Sequence, residues 1–123
     1  LVLDFDGVLH SYTSGWHGVD VINDPPVKGA IAFLREAVRH FNVNISSTRS
    51  HDDRGKRAMQ EWLEFWAKEQ RANSNEDLAW LSAIQWPTIK PPAFLTIDDR
   101  AITFMGTFPD VDTIKAFKPW YLA

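Results

Sequence analysis

The sequence predicts an α/β protein built on a parallel sheet with helices on both faces. Three observations lead there. Short apolar runs at Leu1 to Leu3, Val43 to Ser47 and Ala93 to Ile97 have strand length, and each runs into carboxylates or hydroxyls. Amphipathic stretches at helical spacing separate them. A chain of 123 residues holds one core but not two ordinary ones, so residues 1–123 are read as a single domain.

The elements follow in order. Leu1-Val2-Leu3 reads as a buried strand leading into Asp4-Phe5-Asp6-Gly7 and a turn. Residues 8–23 carry no helical period and are rich in Ser, Thr and Gly, which predicts a loop or small β-flap. Asp24-Pro25 looks like a helix start, followed by Val27, Ala30, Ile31, Leu34, Ala37, Val38 and Phe41 on one stripe. Val43 to Ser47 is the second strand. Ala58, Met59, Trp62, Leu63, Phe65 and Trp66 mark a second helix from about Asp53 to Gln70, and Arg71 to Asp77 is a polar loop. Leu78 to Trp86 divides into a helical piece and a short strand near Ile84 to Trp86. Pro87, Pro91 and Pro92 then forbid regular structure up to Ala93. Ala93 to Ile97 is a strand ending at Asp98-Asp99; Ile102 to Phe104 is read as one more strand and Asp110 to Phe117 as a last helix.

The composition excludes several classes. Apolar residues make up 45% and charged residues 24%, ordinary for a globular chain, and there is no cysteine to build a disulfide, a thiolate metal site or a cysteine nucleophile. The formal net charge of −3 gives no whole-chain attraction to nucleic acid or anionic membrane. No run approaches the ~20 apolar residues of a membrane span, and no signal peptide is visible. A cytoplasmic protein with no membrane partner is the expectation. Opening on Leu1 rather than Met predicts that residues precede it. Six Trp and eight Phe are many for this length, and they are expected mostly in the core and helix stripes.

Ligands of such sheets bind beyond the carboxyl ends of the strands. The first strand end carries Asp4 and Asp6, the second Ser47 and Arg49, and a later one Asp98 and Asp99. Four converging carboxylates repel one another unless a cation sits among them, and oxygen ligands suit magnesium. Lys90 lies just ahead of the strand that delivers Asp98. Magnesium and Lys90 together would offset the charge of a phosphoryl group, while a carboxylate serves as nucleophile and a second one as acid.

These residues resemble the haloacid dehalogenase (HAD) superfamily of phosphohydrolases. Asp4-Phe5-Asp6-Gly7-Val8-Leu9 looks like its first motif, Ile45-Ser46-Ser47-Thr48-Arg49 its second, Lys90 its third and Asp98-Asp99 its fourth, in the family's order. The resemblance implies a three-layer, Rossmann-like core with a short β-flap at about 8–23. It makes Asp4 the nucleophile and a magnesium ligand. Asp6 becomes general acid and then base, with its backbone carbonyl on magnesium. Ser47 would bind a phosphoryl oxygen, with Ser46 as fallback; Arg49 and Lys90 would bind substrate, Lys90 also offsetting the charge of Asp4. Asp98 is implied as a direct magnesium ligand, and Asp99 as a ligand through water or an orienting group. The 16 residues from 8 to 23, and the short step from Trp86 to Lys90, leave no room for a cap domain. A capless phosphatase with an open site is therefore expected. Its phosphorylated substrate is a small metabolite, a nucleotide or a macromolecular end, unless a homo-oligomer lends a lid. The alternatives are a nucleotide or nucleic-acid-end phosphatase and a non-catalytic HAD-fold binding module.

Simpler readings compete at several positions. Asp4 and Asp6 alone would suit a solvated turn, Ser47 a turn cap, and Asp99 a partner for Arg100. Arg49, Arg54, Lys56 and Arg57 read as a solvated helix start or, more sharply, as a rim for anions. His10 and His17 lie in the flap. Trp16, also in the flap, is either a substrate contact or a plug onto the core.

Overall fold

Three two-residue strands run parallel in the order β2-β1-β3: β1 is Val2–Leu3, β2 Asn44–Ile45 and β3 Thr96–Ile97. In this computed structural model, residues 1–122 are described. Leu3 pairs with both Ile45 and Ile97, so the residues that follow all three strands emerge at one edge. Beside β2, Gln85 forms a single parallel bridge to Asn44, so the short strand expected near Ile84 to Trp86 is reduced to an isolated bridge. Among the described residues the protein is therefore mixed α/β, with a small parallel sheet and three α-helices.

The core forms where strand residues meet the two long helices. Helix α1 spans Ala30–Ala37 and α2 spans Asp53–Glu69. Ile31 and Leu34 of α1, and Met59, Trp62 and Leu63 of α2, pack with Leu3, Phe5, Val43 and Ile45. Helix α2 starts where Asp52 accepts from the Arg54 backbone N–H, with Asp53 in its first turn and Lys68 in its last, both complementing the helix dipole. Helix α3, Val111–Lys115, is capped by Asp110 in the same way.

Several expectations are corrected. Helix α1 does not begin at Asp24-Pro25; it starts after Gly29, whose φ of 87° breaks the chain direction. Asp24 is occupied otherwise, accepting from the Ser14 backbone and hydroxyl at 2.9 and 2.8 Å, while Val27 N–H bonds back to Leu9. Ile102 to Phe104 is not a strand, and the second and last strands are shorter than Val43 to Ser47 and Ala93 to Ile97. Segment 8–23 is a loop tied by single bridges from His10 to Asp6 and to Pro26, with no strand of its own. Of the eight Phe, Phe5 alone belongs to the buried core; Phe94 and Phe108 are 89% and 84% exposed. Trp62 and Leu63 are buried as the helical stripe predicts, and Trp16 is half exposed. Among the described residues, no helix is long and apolar enough to cross a membrane.

Candidate functional site

The parallel register delivers the acids. Asp4 N–H donates to Ile97 O at the end of β3, and Ser46 N–H donates to Leu3 O at the end of β1. Asp4, Asp98 and Asp99 can each present an oxygen with all three lying within 4.8 Å of one another. Beside them opens a cleft of about 210 Å³ lined by Asp4, Asp6, Ser47, Asp99 and Arg100, with Tyr12, Trp16 and Tyr121 among its walls.

The electrostatics of this corner are unfavourable as they stand. Burial pushes Asp4 up to about 8, with the adjoining Asp99 and Asp98 carboxylates acting in the same direction and the Phe5 N–H opposing them. The Asp99 side chain is 2% exposed, and both of its oxygens are buried without a hydrogen bond among the described residues; Arg100 Nε stands 3.9 Å from Oδ2, an ion pair beyond hydrogen-bond reach. Buried carboxylate oxygens with no donor are costly, and a cation relieves both the repulsion and the missing partners. The donor set is all oxygen, and it fits a hard divalent ion such as magnesium.

Asp6 faces different neighbours. Its Oδ2 accepts from Arg49 Nε at 3.0 Å and its Oδ1 lies 2.8 Å from His10 Nδ1. The Asp24 backbone N–H donates to His10 Nε2 at 3.1 Å, so the proton of the neutral ring sits on Nδ1 and points at Asp6. Although burial opposes it, bonding from Ser14 holds the Asp24 carboxyl below the usual range. Trp62 completes this support: its indole N–H bonds to Asp24 O at 2.9 Å, and its ring stands edge-on to Phe5 and His10.

The remaining expected site residues fall as follows. Ser47 lines the cleft and caps the 3-10 turn Thr48–His51, its Oγ accepting from Arg49 N–H. That use leaves the hydroxyl hydrogen free to donate elsewhere. Arg49, expected as a substrate contact, is wholly buried: Nη1 bonds to Gly18 O and Val19 O at 2.8 Å, and the guanidinium lies 4.5 Å over the Trp16 ring. It clamps the 8–23 loop to Asp6 and does not face the open rim. Lys90 is exposed and is not among the residues lining the cleft. Arg54 pairs with Asp52, and Lys56 bonds to Thr88, as on an ordinary helix face.

Sequence reasoning missed the far end of the chain. Trp120 N–H donates to Gly7 O at 2.7 Å, and Tyr121 enters the cleft with its hydroxyl accepting from Arg100. An aromatic pair after Pro119 was the available signal, but nothing local tied it to Gly7. Gly7 has φ 82°, and a Cβ there would run into Asp99 Oδ2 and stand 2.6 Å from the Tyr121 ring. Gly7→Ala is expected to lower stability by about 1–3 kcal/mol, through the strained φ and the displaced Asp99. Urea denaturation reads this, and a value within 0.5 kcal/mol of wild type (the ordinary range for an innocuous surface change, on the order of ±0.5) would refute the close fit.

Comparison with protein-family models, curated proteins and solved structures returned no match.

Proposed function

We propose that this chain is a magnesium-dependent phosphomonoester hydrolase of haloacid dehalogenase type, capless, acting through an aspartyl-phosphate on Asp4. The observation that carries the reading is the meeting of Asp4, Asp98 and Asp99 at the sheet edge, with both Asp99 oxygens buried and without a hydrogen bond, and only the 3.9 Å ion pair to Arg100 to offset them among the described residues. These three side chains would hold magnesium, which when bound supplies positive charge against the phosphoryl oxygens. An Oδ of Asp4 attacks phosphorus as the ester P–O bond breaks, and Asp6, having first taken up a proton, gives it to the leaving oxygen. Water then attacks the phosphorus, Asp6 takes its proton, the Asp4–phosphorus bond breaks and inorganic phosphate departs. His10 and Arg49 orient Asp6, and the free hydroxyl hydrogen of Ser47 faces a phosphoryl oxygen. The three-layer Rossmann-like core, a phosphoryl-binding role for Lys90 and a cytoplasmic setting belong to the same proposal.

A second reading, a non-catalytic binding module on this fold, is favoured by two observations: both Asp6 oxygens are already engaged, and Lys90 stands apart from the cleft. Turnover of a generic phosphomonoester separates the two. Hydrolysis is expected with magnesium, lost in a chelator and restored by readdition, with Asp98→Ala raising the magnesium requirement by about tenfold or more. Hydrolysis that persists in chelator would sink the metal-dependent reading.

A further inference from the structure

The acids on the cleft floor do not account for the walls above them. Tyr12, Trp16 and Tyr121 line the same cleft, and none has a part in the phosphoryl chemistry. Tyr12 sits at φ 60°, in the left-handed region, a conformation bulky residues adopt where surrounding structure imposes it. Its ring stands edge-on to Tyr121 at 5.6 Å. Burial and the nearby Asp6 push the Tyr12 phenol up, so it stays a neutral ring with an intact hydroxyl. Trp16 carries the Arg49 guanidinium over its ring and is still 50% exposed, a large apolar surface left at the mouth of a polar site.

The dimensions narrow the occupant. A cavity of about 210 Å³ falls below the roughly 300–1,000 Å³ of sites that enclose a whole ligand, so it takes a terminal group and leaves the rest outside. Arg49 bonds Asp6 through Nε at 3.0 Å and lies with Cζ 4.5 Å over the Trp16 ring, so one face of the indole is covered from within and the other is left at the cleft mouth. Rings as walls favour a π-faced group over a bare sugar, and base–aromatic stacking tolerates any base. Arg100, 58% exposed, anchored on the Tyr121 hydroxyl and 3.9 Å from Asp99 Oδ2, is a cation at the same rim.

We propose that Tyr12, Trp16 and Tyr121 form a leaving-group subsite for the base of a nucleoside monophosphate unit, either free or at the end of an oligonucleotide. The proposal rests on the phosphohydrolase reading for the phosphate end.

The test is binding to the wild-type chain with magnesium, followed by calorimetry. The probes are the non-hydrolysable methylenephosphonate analogues of adenosine 5′-monophosphate and ribose 5-phosphate, which differ only in the base. The adenosine analogue is expected to bind at least about tenfold more tightly. Trp16→Ala and, separately, Tyr121→Ala should each erase most of that difference, so misfolding of one variant leaves the other to decide. Equal affinity, no binding of either analogue, or an advantage that survives both substitutions would overturn the subsite. A short oligonucleotide bearing a terminal phosphonate identifies the source: tighter binding than the nucleotide analogue assigns a nucleic-acid end, equal binding a free nucleotide, and either upholds the subsite. Hydrolysis of ribose 5-phosphate itself reports on the floor alone. Hydrolysis without a base advantage removes the subsite and leaves the phosphatase, while a base advantage without hydrolysis does the reverse.

Discussion

Asp4→Asn is expected to reduce phosphomonoester turnover by at least about 10⁴-fold, as removal of a nucleophile does elsewhere, while making the metal-free protein more stable at alkaline pH. The two effects share a cause. Asp4 is pushed from 3.8 to about 8 by burial and by Asp99 and Asp98. A raised carboxyl means the folded state binds its proton more tightly than the unfolded chain does. That contribution is fully present below pH 3.8, declines as pH rises, and is gone above about pH 8. In chelator, stability should therefore fall between pH 5.5 and pH 8.5, by roughly 2–3 kcal/mol once partial solvent access is allowed for, or about 5–10 °C in Tm. Magnesium should restore most of it at the higher pH and little at the lower. Asp4→Asn removes one charge from the cluster, so its Tm in chelator should be flatter with pH and its magnesium response weak. Thermal melts at both pH values, with and without chelator, check this. If the variant melts as wild type does under all four conditions, the acids are not the electrostatic liability their geometry implies.

The second large effect is at Arg49. This guanidinium is fully buried and serves Asp6, Gly18 O and Val19 O together. Arg49→Ala leaves Asp6 Oδ2 and two carbonyls without their donor, a loss of about 3–5 kcal/mol for a broken buried pair. Arg49→Lys keeps the charge but not the fork that reaches three acceptors, and should recover only part of the loss. Urea denaturation gives the values. A double-mutant cycle with Asp6→Asn should show coupling of at least about 1 kcal/mol, since the two side chains touch. An alanine variant within 1 kcal/mol of wild type, where about 3–5 is expected, would show that the clamp contributes little.

The parts of the fold that were legible in the sequence were those set by local pattern. The stripe through Met59, Trp62 and Leu63 identified α2, because period and burial coincide along one helix. The acids after short apolar runs located Asp4, Asp98 and Asp99 at strand ends, and parallel register then brought them together. What failed depended on distant partners. Asp24 resembled a helix cap but is taken by Ser14, across 10 residues, so α1 starts later. Arg49 resembled a rim cation because its spacing from Ser47 does not reveal that the 8–23 loop folds over it. The exposed Phe residues show the same limit, since apolar character alone does not say which side chains find a neighbour.

The bond from Trp120 to Gly7 spans 113 positions of sequence. Loop closure over such a distance is entropically late, and contacts of this kind slow folding. The β1–β2 pair and α2 can assemble from nearer neighbours, but β3 reaches β1 only across 94 positions (Val2 to Thr96), and the loop bearing Asp6 and Gly7 gains its tether only when residue 120 has docked. A ribosome still holding the last stretch of this sequence would therefore carry a chain with the β1–β2 pair and α2 in place, and with the third strand and the cleft unfinished. The cleft would thus be completed last, after most of the helical packing around it.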